Sequence, residues 1–260
     1  MTVRKPAVSG LFYSADKDAL RRDVDAMLDA AHATGQSVPK AIIAPHAGFR
    51  YSGPVAASAY KLLEPARQRI RRVLLLGPAH RVYLDGMALS SAEGFATPLG
   101  TVPLDRDLLA TIAALPDVCV SDKAHRDEHC IEVQLPFLQT VLAEFSLAPV
   151  VVGRCAAEPV AAVIDAAWGG PETLIVISSD LSHYHPYDEA RRIDAQTCSR
   201  IVASATDLGG GEACGAHAIN GLMATRGSLD LRVDAIDTRN SGDTSGTRDR
   251  VVGYGSFVLH

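Results

Sequence analysis

No basic excess runs through this chain: 25 Lys and Arg stand against 30 Asp and Glu, a formal charge of −5. Nucleic-acid affinity draws on counterion release by clustered cations, so this balance gives no basis for a nucleic-acid partner or for charge-driven membrane attachment. Long apolar runs are also missing. The longest, such as 73–76 and 174–177, fall far short of the roughly 20 residues that a membrane helix needs. The opening MTVRKPAVSGLFYSADKDAL has no apolar core of signal-peptide length. Cysteine is scarce. The five residues, Cys119, Cys130, Cys155, Cys198 and Cys214, are an odd number without a C-x-x-C pair. That argues against a disulfide framework and a four-cysteine zinc site, and it fits a reducing compartment. A cytoplasmic protein is expected, with no membrane and no nucleic-acid partner.

The 21 Gly and 14 Pro are scattered, and neither an internal repeat nor a Pro- or Ser-rich linker is visible. The expectation is one domain, residues 1–260. Hydrophobic residues make up 47% and charged residues 21%, a normal globular composition. A chain of this length buries about 70% of its unfolded surface on folding.

What is present is a series of short, nearly uninterrupted apolar runs at 41–44, 73–76, 149–152 and 174–177, with a last, glycine-interrupted run at 251–259. Runs this short without alternation read as strands covered on both faces. Helical patterns lie between them, at 17–31, 54–63, 104–114, 131–145, 158–168, 187–204 and 213–225. The first carries Leu20, Val24, Met27 and Leu28 at helical spacing. This alternation predicts an α/β fold, an α/β/α sandwich around a mostly parallel or mixed sheet.

Three of the apolar runs end in a histidine-bearing turn. The first leads into Pro45-His46-Ala47-Gly48, with Tyr51 and Gly53 close behind; the second into Gly77-Pro78-Ala79-His80; the fourth into Ser178-Ser179-Asp180-Leu181-Ser182-His183. Ligands of open α/β sheets bind outside the carboxyl ends of the strands. Parallel strands would therefore bring His46, His80, Asp180 and His183 to one sheet edge. A fourth feature is the Gly209-Gly210-Gly211 lead-in to Cys214. It places Cys214 near a helix N-terminus, where the dipole lowers a thiol pKa; a small buried cysteine that merely packs is the alternative. In Asp127-Glu128-His129-Cys130-Ile131-Glu132, His129 and Glu132 share a face if a helix begins this early. That segment either delivers His129 to a pocket or is simply an acidic helix start.

Taken in order, these strings resemble the Memo family: Ile-Ile-Ala-Pro-His46-Ala-Gly with Tyr51 and Gly53, Leu-Gly-Pro-Ala-His80, Asp-Glu-His129-x-Ile-Glu, Ser-Ser-Asp180-x-x-His183 and Cys214-Gly-x-His217-x-Ile. The resemblance covers nearly the whole chain. It implies the fold of the class III extradiol dioxygenases and a metal site of His46, His80 and Cys214. Asp180 and His183 would act beside it as acid–base groups, and Tyr51, His129 and His217 would line the pocket. It further implies one transition metal ion, iron or copper with zinc possible, and a small-molecule ligand that it does not name. Prokaryotic members of the family occur in systems with a radical-SAM protein and an AMMECR-type protein, which are the partners to expect. Arg81 stands where other members carry a second His, and Cys130 occupies a Ser-type position. A metal-dependent oxidoreductase is the leading expectation. A metal-handling or partner-binding module without turnover is the second, and a metal-free hydrolase using Cys214 the third.

Overall fold

The apolar runs become the middle of a mixed sheet. The computed structural model describes residues 2–32, 37–228, 230–244 and 246–260. Its strands are β1 (Val3–Arg4), β2 (Ala41–Ala44), β3 (Arg72–Pro78), β4 (Met87–Leu89), β5 (Gly94–Thr97), β6 (Gly100–Pro103), β7 (Val118–Val120), β8 (Ser146–Val152), β9 (Thr173–Ser178), β10 (His183–His185), β11 (Val233–Asn240) and β12 (Val251–Leu259). Its helices are α1 (Lys17–Ala30), α2 (Phe49–Tyr60), α3 (Arg106–Ala113), α4 (Asp122–Arg126), α5 (Leu135–Val141), α6 (Ala157–Ala167), α7 (Tyr187–Val202), α8 (Ala216–Ala224) and the short α9 (Ser241–Thr244).

The large sheet runs β10-β12-β2-β9-β3-β8-β4-β7, with β11 also paired to β12. Its centre, β2-β9-β3-β8, is parallel, while β12 joins β2 and β4 joins β8 antiparallel. All residues of β2 and β9 are buried, and all but the first of β3 and β8. Such strands need helices on both faces. One layer is α1, α2 and α5, with α2 against β2, β11 and β12; in the other, α6 packs on α3 and α8, and α8 reaches β3. A small sheet, β1-β5-β6, ties the N-terminal segment to the body. No helix among the described residues is long and apolar enough to cross a membrane.

Side-chain caps set several helix starts. Asp16 accepts from Ala19 N ahead of α1, Asp105 from Leu108 N ahead of α3, and Ser121 from Ala124 N ahead of α4. Two starts differ most from the sequence expectation. Helix α2 begins at Phe49, with Pro54 inside it, so Tyr51 lies on a helix. The helix expected over 131–145 is α5 alone, preceded by a 3-10 turn over Glu132–Gln134. Just ahead of this turn the Glu128 carboxylate takes the N–H groups of His129 and Cys130. His129 and Glu132 therefore serve different ends. Glu132 is buried and holds Arg4, Ala7 N, Val8 N and Tyr13.

His125 on α4 shows what burial does to a basic group. It is 2% exposed, Nε2–H donates to Ala88 O at 2.9 Å, and the ring meets Phe95 edge-on. Nδ1 has no partner among the described residues. Burial, more than any charge, holds the ring's pKa down to about 4. The unfolded chain then binds a proton that the folded one refuses, so this contribution is intact above pH ~6.5 and is lost as pH falls toward 4. Urea unfolding of His125→Gln should show a pH slope in that window shallower than wild type by roughly 1.4 kcal/mol per pH unit. Equal slopes would refute this assignment.

Candidate metal centre

Because β9 lies between β2 and β3 and all three run parallel, their carboxyl ends open on one edge. His46 follows β2, His80 follows β3, and Asp180 and His183 follow β9.

The proton on His46 is placed by its neighbours. Ser178 Oγ donates its only hydrogen to Cys130 O at 2.7 Å and accepts from Gln134 Nε2 at 2.8 Å. Tyr60 OH donates to Gln134 Oε1, which fixes that amide's orientation. Ser178 Oγ can therefore only accept from His46 Nδ1, 2.8 Å away. His46 carries its proton on Nδ1, and Nε2 bears the lone pair. Burial first, and the nearby His80 and His129 rings second, hold the pKa of His46 well below the ordinary range. The ring is neutral at physiological pH, as a metal ligand must be.

His80 is fixed in the same sense by Glu128. The carboxylate accepts from His80 N at 2.6 Å and from His80 Nδ1 at 2.9 Å, and also from His129 N and Cys130 N. Burial pushes Glu128 up, but the bonds from His129 and His80 outweigh it and hold the carboxyl well below the usual range. Ionised Glu128 can only accept, so His80 also presents Nε2 as its lone pair. Carboxylate–histidine pairs of this kind orient metal-ligating imidazoles.

The third member of the cluster is His129. Its Nδ1 lies 3.2 Å from Glu128 Oε1, and its ring centroid lies 4.7 Å from that of His80 and 5.3 Å from that of His46. Ligand atoms of His46, His80 and His129 come within 4.8 Å of one another, close enough to hold one ion. Sequence reasoning placed His129 only in the pocket wall. Cys214 is not in that group; its Sγ lies 3.4 Å from His46 Nε2. The sulfur also accepts from Asp180 N at 3.2 Å. This packing requires Gly215, where a Cβ would sit 2.7 Å from that of Ser179.

The expectation of a lowered Cys214 thiol pKa does not hold. Burial is the largest influence and raises it, the Asp180 carboxylate raises it further, and donors around the sulfur recover only part. Low dielectric and a neighbouring anion outweigh a helix start. In the metal-free protein, iodoacetamide with peptide mapping should label exposed Cys119 before Cys214. The reverse order would restore the thiolate reading.

Asp180 is buried and accepts from His46 N at 2.7 Å; burial raises its carboxyl above the ordinary range. Above the cluster opens a cavity of about 730 Å³ lined by His46, His80, His129, Asp180, His183 and Tyr51. Tyr184, Arg250 and Tyr254 complete its wall. Tyr184 has φ +63°, an uncommon conformation for a bulky residue, and Arg250 stacks on its ring. His217 does not take part. It is exposed on α8 and absent from the cavity wall, because the helix turns it away from Cys214. Glu128, Ser178 and Gln134 received no role from the sequence. The available signal was polar residues set in apolar surroundings, which fold only when partnered.

The chain matches the Memo-like protein family over residues 4–258. It belongs to the Memo family. A MEMO1 family protein of Aquifex aeolicus is 35% identical over the full length of both chains, and one of Methanopyrus kandleri is 32% identical over 98% of each. Among solved structures, an uncharacterized protein, JW3007, of Escherichia coli K12 superposes with a TM-score of 0.51 at 12% identity. That match covers 83% of this chain and 98% of the other. At that identity the likeness speaks for the fold alone.

Proposed function

We propose that this Memo protein holds one transition metal ion, iron or copper, on His46, His80 and a third donor, and acts as a metal-dependent oxidoreductase on a small molecule bound above it. One observation carries the reading. Two imidazoles have their protons tied back on Nδ1, by Ser178 and Glu128, and their Nε2 lone pairs, that of His46 beside the Cys214 sulfur, are turned to the floor of a cavity of about 730 Å³. That volume suits a small organic ligand. His129 and Cys214 are the candidates for the third donor. Three imidazoles suit iron, copper and zinc, whereas a thiolate shifts preference toward copper and zinc.

The ion would supply the redox couple and Lewis acidity. The protein's own groups do the rest. Asp180 anchors the His46 backbone and, with its raised pKa, can hold a proton in the pocket. His183, half-buried in the cavity wall, is placed to take a proton from a hydroxylated ligand. Tyr51 and Tyr254 offer phenolic groups to orient it.

The test is oxygen uptake by the iron- or copper-loaded protein across a panel of catechols. The expected result is uptake with at least one of them, at least about tenfold slower in His183→Gln. A tightly held metal with no uptake on any member would overturn turnover. It would favour the second reading, metal handling without chemistry. The observation behind that reading is the Cys214 sulfur 3.4 Å from His46 Nε2, since a thiolate beside an oxygen-activating ion risks its own oxidation.

A further inference from the structure

Leu11 and Phe12 line the metal cavity and also a second cleft of about 740 Å³. The turn that carries them is thus a wall common to both. Gly10, with φ +80°, makes the turn; Phe12 packs on the His129 ring at 5.0 Å, and Leu11 is 81% exposed. The N-terminal segment supplies one apolar side of the cleft through Val3, Ala7 and Val8. Of the five Lys and Arg residues that line it, Lys5, Arg81 and Lys123 have no carboxylate partner among the described residues, whereas Arg4 and Arg126 do.

The acids at this cleft are engaged. Asp122 accepts from Ser90 Oγ and Ser91 N, each at 2.8 Å, and from Ser91 Oγ. Asp127 pairs with Arg126 at 3.0 Å. Buried Arg4 is neutralised by Glu132. Lys5, Arg81 and Lys123 against Asp122 leave a local charge of about +2 in a protein whose total is −5.

We propose that this cleft is a second small-molecule site, for an organic anion with an apolar body, such as an aryl phosphate or aryl carboxylate. Its volume is of the size that buries a small ligand. Exposed cations alone hold an inorganic ion weakly; the apolar side supplies the remaining affinity and sets the class. The site does not rest on the metal reading. It does adjoin the cluster: Arg81 follows His80, and the Asp122–Asp127 segment runs into Glu128 and His129.

The test is calorimetry on the full chain, kept metal-free with chelator, with phenyl phosphate and benzoate as probes and inorganic phosphate and phenol as comparators. At least one probe is expected to bind at least about tenfold more tightly than either comparator. Lys5→Glu and Lys123→Glu, both at exposed positions, should each weaken it about tenfold while melting like wild type. Arg250→Ala, at the metal cavity, should leave it unchanged. No binding of either probe at millimolar concentration would overturn the proposal. So would affinity no better than that of inorganic phosphate, or a loss confined to Arg250→Ala, which would put the probe in the metal cavity.

Discussion

Replacing His80 with alanine is expected to take bound transition metal from about one ion per chain to none, and replacing His46 to do the same. A site with one fixed imidazole removed keeps too few donors to compete with water and buffer. The two variants differ in what else they disturb. The His80 side chain is 27% exposed, so its loss leaves no sealed cavity, and Glu128 keeps the N–H groups of His129 and Cys130. His46 is 1% exposed. Its loss opens a buried void beside Ser178, at a cost of about 2 kcal/mol in urea unfolding. Metal analysis after dialysis, with unfolding curves alongside, separates lost binding from lost fold. Full occupancy in both variants would place the ion elsewhere.

The second large effect is expected at Glu128, a residue that makes no contact with the metal in this account. Glu128→Gln should weaken metal binding about 10- to 100-fold and lower stability by roughly 2–4 kcal/mol. Both oxygens of the carboxylate face donors: Oε2 takes His80 N, and Oε1 takes His80 Nδ1, His129 N and Cys130 N. Whichever way an amide is turned, its NH₂ meets an N–H group. With the NH₂ at Oε1, His80 loses the acceptor for its Nδ1 proton and the His129 turn loses its anchor; with it at Oε2, His80 N loses its acceptor, and in both cases the negative charge that holds His80 is gone. Chelator competition reads the first effect and urea unfolding the second. Wild-type metal affinity in this variant would show that the imidazoles are positioned by something else.

The parallel centre was legible because strands covered on both faces leave unbroken apolar runs, as in Ala41–Ala44 and Thr173–Ser178. The convergence of His46, His80, Asp180 and His183 followed from strand ends alone. The strand β11 was not legible. Its sequence VDAIDTRN is buried only at its two ends, Val233 and Asn240, with partly buried or exposed residues between them, so neither an apolar run nor an alternation marks it. His129 joins the cluster through a turn that Glu128 builds, and such a turn has no periodicity to detect. The Cys214 reading failed for a different reason. A helix start is visible in sequence, but the depth of the sulfur beside Asp180 is a property of packing. The cleft beside the metal cavity was out of reach for a similar reason: it forms only where β1 pairs with β5, some 90 residues along the chain.

The central claim is that the lone pairs of His46 and His80 hold one ion at the floor of the cavity. Anomalous diffraction from crystals loaded with iron or copper tests it most directly. One strong peak is expected at bonding distance, about 2.0–2.2 Å, from an imidazole nitrogen of each, with His129 or Cys214 as the third contact. A peak at the other cluster of potential ligands, His80, Glu128 and Cys130, or no peak near His46, would contradict it.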